Sequence, residues 1–248
     1  MSTLSLTFDN TPNSSAIGTV TLPITGTSLA VSINWGDGTT NGSISHSYSG
    51  TGPYTAVITV TSGTVTQFGN NSGGWWSGSS KLTVVATNNT SNWGLPGVSS
   101  FSGAFRGCWR LTVVPTQIPS SVTDTSSMFP SCSIFNQDIG NWDVSQVTNM
   151  EYMFHFAQAF NQPIGNWDVS NVTNMYWMFH NAQAFNQPIG NWDVSNVTNM
   201  SEMFYNAVAF NKDIRYWNTT SVTNYGNMFN GATAFIAEFQ NYSPLATS

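Results

Sequence analysis

Four consecutive segments of this chain are near-copies of one another. They read FNQDIGNWDVSQVTNMEYMFHFAQA from Phe135, FNQPIGNWDVSNVTNMYWMFHNAQA from Phe160, FNQPIGNWDVSNVTNMSEMFYNAVA from Phe185 and FNKDIRYWNTTSVTNYGNMFNGATA from Phe210, a period of 25 residues. A unit this short cannot bury its own apolar side, so the copies are stable only when stacked on one another. Within one unit the recurring apolar positions are Phe160, Ile164, Trp167, Val169, Val172, Met175, Met178, Phe179 and Ala182. The three-and-four spacing from Met175 to Ala182 predicts one or two helical turns. Pro163 and Gly165 prevent a helix in the first half, which reads as extended chain with turns. The pattern continues upstream in degraded form from Leu82 and Leu111 and is lost after Ala234. The predicted organisation is an N-terminal unit over 1–64, a Gly/Ser/Trp linker or cap over 65–81, a solenoid of about six coils over 82–234 and a C-terminal cap over 235–248.

Residues 1–64 have a different texture. Apolar residues alternate at Leu4, Leu6 and Phe8, at Val20, Leu22 and Ile24, at Leu29, Val31, Ile33 and Trp35, and at Tyr54, Ala56, Ile58 and Val60. Period-two runs broken by Gly, Pro, Asn and Ser predict the strands of a small β-sandwich. The stretch INWGDGTTNGSISHSYSGTGPYTAVITV resembles a PKD domain through Trp35, Gly36, Asp37, Gly38, His46, Tyr48, Gly52, Tyr54 and Val57. That resemblance implies a spacer or interaction module without chemistry of its own.

In the second half, AFRGC, IPSSV and MFPSC resemble the Treponema-type leucine-rich repeat, and FNQPIGNWDVSNVTNM resembles the repeat of BspA-like surface proteins. The resemblance covers residues 82–234 and implies a right-handed leucine-rich-repeat-like solenoid in a protein of cell or virion surfaces that acts in attachment. The expected fold class is thus mainly β with short helices, a PKD-like sandwich followed by that solenoid.

Composition narrows the partners. Only 6% of residues are charged, and 5 Lys plus Arg with a formal charge of -6 offer no cationic patch for a nucleic acid or an anionic membrane. No run of apolar residues is long enough to span a bilayer, and MSTLSLTFDN has the features of no signal peptide. The expected setting is the extracellular surface or a virion, reached without a signal peptide in this sequence, with protein or glycan on a host surface or particle scaffold as partner. The expected activity is non-enzymatic binding. A purely architectural shell, fibre or decoration role is the runner-up, and a polysaccharide-acting enzyme is a remote third, because a repeat offers many equal places and no unique polar cluster.

Positions that vary between otherwise similar units are either the candidate binding face or merely tolerated surface positions: Glu151, Tyr152, His155, Tyr176, Trp177, His180 and Tyr205. Tyr and Trp there supply rigid contact area for protein or sugar. His155 and His180 are expected at the surface, with no companion ligands for a metal. Asp143, Asp168 and Asp193 share one repeat position and would form a column about 5 Å apart on a strand ladder. Each closes an Asx turn onto its own Asp-Val-Ser backbone, or the column holds calcium; no other cofactor is expected. Columns of asparagine at Asn136, Asn161, Asn186 and Asn211 and at Asn149, Asn174, Asn199 and Asn224 suit amide bonding along the stack. Cys108 and Cys132 fall where later units carry Ala157, Ala182, Ala207 and Ala232, so they read as small core residues with free thiols, a disulfide between successive coils being the alternative. Trp75 and Trp76 either plug the open end of the core or form an exposed aromatic patch.

Overall fold

The computed structural model describes residues 2–11, 15–70, 74–89 and 93–239. The chain is mainly β, with one short α-helix, α1, at Thr233–Phe239. Seven strands form the N-terminal part: β1 Thr3–Phe8, β2 Gly18–Thr21, β3 Ile24–Asn34, β4 Thr40–Asn41, β5 Ser45–Tyr48, β6 Tyr54–Phe68 and β7 Leu82–Thr87. Five of them make an antiparallel sheet in the order β4-β3-β6-β1-β7, and β2 pairs with β5 separately. The alternation of Leu4, Leu6 and Phe8 puts all three side chains on the buried face of β1.

The motif around Trp35 closes on itself. Trp35 is fully buried, its carbonyl accepts the Tyr48 hydroxyl at 2.8 Å, and its ring stacks on His46 at 5.0 Å. His46 in turn meets the Asp37 carboxylate at 2.6 Å. Gly36 and Gly38 take positive φ values of 81° and 94°, which a turn of this shape requires.

The repeats stack in parallel and in register. A ladder of single parallel bridges runs from Gln67 in β6 through Ser100, Asp124, Asn149, Asn174 and Asn199 to Asn224. Core rings repeat with it: Phe129, Phe154, Phe179, Phe204 and Phe229 are spaced 5.6 to 5.7 Å between centroids with interplanar angles of 8° or less. A second file runs through Phe135, Phe160, Phe185, Phe210 and Phe235. Each fully buried ring contributes about 1.5–3 kcal/mol by leaving water. The indole N–H groups of Trp142, Trp167, Trp192 and Trp217 each donate to a carbonyl one level back, at 3.1 Å.

The segment predicted as helical turns is not a helix. Its N–H groups alternate between two acceptors: Met175, Trp177, Phe179 and Asn181 donate to Asn199, Ser201, Met203 and Tyr205 of the next level, while Met178, His180 and Ala182 donate three residues back. A helix would need each N–H for its own i−4 carbonyl. Here half of them tie the levels together, so the three-and-four apolar spacing is produced by overlapping turns. The geometry needs left-handed backbone at two positions per level, including Tyr152 and Phe156, Trp177 and Asn181, and Glu202 and Asn206.

The N-terminal part closes one end of the stack. The first row of carbonyls, at Ser100, Ser102 and Ala104, receives the Phe68 N–H at 3.0 Å, the Gln67 side-chain amide at 3.3 Å and the Trp76 indole N–H at 2.9 Å. Strand β7, which sequence patterning counts with the repeats, pairs with β1 in the sheet and also bridges Val113 in the stack. At the opposite end α1 sets Phe235 on Phe229 at 4.1 Å and brings Phe239 against Phe235. The N–H groups of Tyr225, Asn227, Phe229 and Gly231 find no acceptor there among the described residues. Residues 240–248 of the predicted C-terminal cap lie outside the described residues.

Candidate functional site

The turn segments build one face of the stack. Met175, Met178, Phe179 and Ala182 point into the core and are fully buried. The residues between them are thereby turned outward, and neighbouring levels bring them into register.

All seven residues singled out by sequence come together there. Tyr152 meets Tyr176 at 5.3 Å and Trp177 at 5.1 Å. His155 lies 5.2 Å from Trp177 and 5.0 Å from His180. His180 is sandwiched between Trp177, at 4.1 Å and 9°, and Tyr205, at 4.7 Å and 6°. The Glu151 carboxylate accepts the Asn174 side-chain amide at 2.8 Å. The result is an aromatic file crossing three levels.

His180 is not the surface residue that the sequence suggests, and His155 is half-buried. His180 is only 7% exposed, because the rings of Trp177 and Tyr205 cover both its faces. Its Nδ1 lies 2.6 Å from the Asn181 amide nitrogen and its Nε2 3.3 Å from Glu202. An amide N–H donated to Nδ1 leaves the ring proton on Nε2, aimed at the carboxylate. Burial nevertheless lowers the His180 pKa, outweighing the opposing effect of Glu202. His155 is lowered further, to about 3, first by burial and then by the positive charges of His180 and Arg106. Its Nε2, like the Trp177 indole nitrogen, is buried without a hydrogen-bond partner among the described residues. Burial also pushes the Tyr152 hydroxyl up to about 12. At neutral pH both imidazoles are therefore uncharged parts of an aromatic surface.

The other columns serve the backbone. Asp143, Asp168 and Asp193 accept the N–H groups of Ser145, Ser170 and Ser195 at 3.0 to 3.1 Å, the Asx turns that Asp-Val-Ser predicts. Hydrogen bonding from the Ser145 and Ser195 side chains, and then from those N–H groups, holds the Asp143 and Asp193 carboxyls below their usual range. Among the described residues no three His, Cys, Asp or Glu side chains gather as a metal site. Asn136, Asn161 and Asn186 each accept the N–H of the next asparagine in their column at 2.8 to 3.0 Å, so this file knits the levels. Cys108 and Cys132 are free and buried, and the Cys132 thiol lies 3.0 Å from the Phe105 carbonyl. Burial raises both thiol pKa values, which keeps them protonated and unreactive.

The tryptophan pair divides between its two readings. Trp76 is the plug, 6% exposed, and lies 6.2 Å edge-on to Phe8. Trp75 is 59% exposed and rests against Trp109, a residue that sequence reasoning did not single out. The available signal was that Trp109 stands where later units have Ser133, Gln158 and Gln183. Among the described residues no helix is long and apolar enough to cross a membrane.

Comparison with known proteins gives one result. A family model described as "Mycoplasma protein of unknown function, DUF285" matches residues 80–201 and 164–244, the same stretch that carries the repeats. No curated protein and no solved structure matches the chain.

Proposed function

The chain belongs to the DUF285 family, a family related to BspA-like surface repeat proteins, and from that premise we propose that it is a non-enzymatic attachment protein that engages protein or glycan through its turn face. In this reading the stacked repeats are a right-handed leucine-rich-repeat-like solenoid. The N-terminal part is a PKD-like β-sandwich that closes one end, and the molecule works on a cell or virion surface.

The observation that carries the proposal is the identity of the residues at a strained position. The first left-handed position of each level holds Gly103, Ser127, Tyr152, Trp177, Glu202 and Asn227 in turn, with φ between 50° and 70°. Glycine meets that requirement without penalty, whereas a residue with a side chain costs about 1–2 kcal/mol there. Folding alone favours glycine at every level. Bulky Tyr152 and Trp177 persist at this cost in the middle of the face, beside Tyr176 and the two histidines. Residues retained against local strain are a recognised mark of a functional surface, and tyrosine and tryptophan are the side chains that dominate binding energetics.

The test uses the full chain on glycan arrays and on immobilised extracellular-matrix proteins. Binding that Tyr176→Ala and Trp177→Ala each weaken at least tenfold supports the aromatic face. Binding unchanged in both variants removes it. Failure to bind any arrayed glycan or matrix protein favours the architectural role instead.

A further inference from the structure

Ten tryptophans occur in the chain, and only Trp75 and Trp109 are exposed, at 59% and 40%. They are also in contact with each other, with ring centroids 5.7 Å apart and planes at 70°, so they form a corner of two exposed indoles. We propose that this corner is a stacking subsite for the pyranose rings of a glycan. The inference rests on the reading of the molecule as a binding protein, and names a second place and a ligand class for it.

The corner is built rather than incidental. One face of Trp75 lies on the backbone of Gly107, where an added Cβ would come within 2.9 Å of the indole ring. Gly107 has φ of 73° and donates its N–H to Pro130, so the seat beneath the ring is fixed by the stack itself. More than half of Trp75 nevertheless stays exposed. A ring held in one orientation loses little freedom on binding, which is how aromatic side chains give affinity cheaply in entropy. Nothing in the core demands Trp109, since equivalent levels place Ser133, Gln158, Gln183 and Val208 there.

Size selects the ligand. A stable protein interface buries about 800 Å² on each partner, far more than two half-exposed indoles provide. A single sugar ring matches an indole face in area, and its axial C–H groups pack on the π surface while its hydroxyls remain hydrated. Arg110, one of the chain's five cationic residues, directly follows Trp109 in sequence, where the carboxylate of an acidic sugar would find a counter-charge.

Calorimetric titration of the full chain with chitotetraose, maltotetraose and sialyllactose tests this. At least one sugar should bind with Kd of about 1 mM or tighter. Trp75→Ala and Trp109→Ala should each weaken it at least tenfold, Trp75→Tyr less, and Tyr216→Ala, at an exposed ring outside both proposed sites, by under twofold. Binding confined to sialyllactose identifies an acidic glycan, and binding of the other two a neutral one. Absence of binding by all three, or binding indifferent to both Trp75→Ala and Trp109→Ala, overturns the subsite. The turn face is read separately, by Tyr176→Ala and Trp177→Ala on arrayed glycans and matrix proteins, so loss of this subsite and loss of that face are distinguishable.

Discussion

Acid should unfold this protein earlier than its carboxylates alone would dictate, through His155. The ring is packed among Tyr152, Trp177, Phe156 and His180, with Arg106 as the nearest strong positive charge and Glu202 reaching only as far as His180. Its folded pKa lies at about 3, against an ordinary value of 6.5. A base whose pKa is lowered on folding binds protons more readily when unfolded, so stability is complete above pH 6.5 and declines as pH falls towards 3. At 1.36 kcal/mol per unit, the step from pH 7 to about pH 5 removes about 2 kcal/mol. The depressed carboxyls, among them Asp143, Asp193 and Asp213, act in the same direction but only below about pH 4, so they leave this window clear. Urea unfolding of the wild type and of His155→Asn, which installs the residue found at Asn230, measures the difference. The wild type should lose about 2 kcal/mol more than the variant across the window, and an NMR titration should find the His155 ring neutral at pH 5. Equal losses in the two proteins would refute the claim that this ring is kept uncharged by its neighbours.

The two kinds of indole bond should differ when broken. In Trp76→Phe the Ala104 carbonyl loses the hydrogen bond that closes the first level, a loss of about 1–3 kcal/mol, whereas in Trp167→Phe the Ile139 carbonyl still accepts the Trp142 N–H, so the bond itself costs nearer 1 kcal/mol. Chemical denaturation with matched probes ranks the two. Deleting residues 160–184, one whole period, should leave a folded, shorter stack with an unchanged circular-dichroism spectrum per residue, while deleting 160–171 should abolish cooperative unfolding. Asp168→Ala should cost about 0.5–1.5 kcal/mol from the lost bond to the Ser170 N–H and should leave thermal stability insensitive to added calcium, a comparison made by melting with and without the ion.

Much of the fold could be read in the sequence, because the residues concerned repeat at one period. Phe160, Trp167 and Met178 recur every 25 residues, and stacking is the one arrangement that buries them all. The Asp-Val-Ser caps were equally legible, since an Asx turn is made within three residues and needs no tertiary partner. The failures share the opposite property. The Met175 to Ala182 spacing suits a helix, and only the demand of the next level for N–H donors turns it into linked turns. His180 varies between levels like a surface residue, yet the flat rings on either side of it bury it. Trp75 and Trp76 are identical neighbours in a Gly-rich stretch. Which of them goes inside was settled by the Ala104 carbonyl, a group distant in sequence. The clustering of the seven candidate residues on one face was legible because variation beside a fixed core is visible in a single chain that carries several copies of itself.

The turn rows all donate in one sense along the stack, and this gives the molecule unlike ends. Its first level is short of donors and is served by Gln67, Phe68 and Trp76; its last, among the described residues, has donors in surplus. A middle unit can therefore be gained or lost without disturbing either terminus, because each one hands on the bonding pattern that it receives, while neither end piece can take the place of a middle unit or of the other. Reach is adjustable in whole 25-residue steps, and evolution can lengthen or shorten such a rod by recombination between near-identical copies while both termini stay as they are.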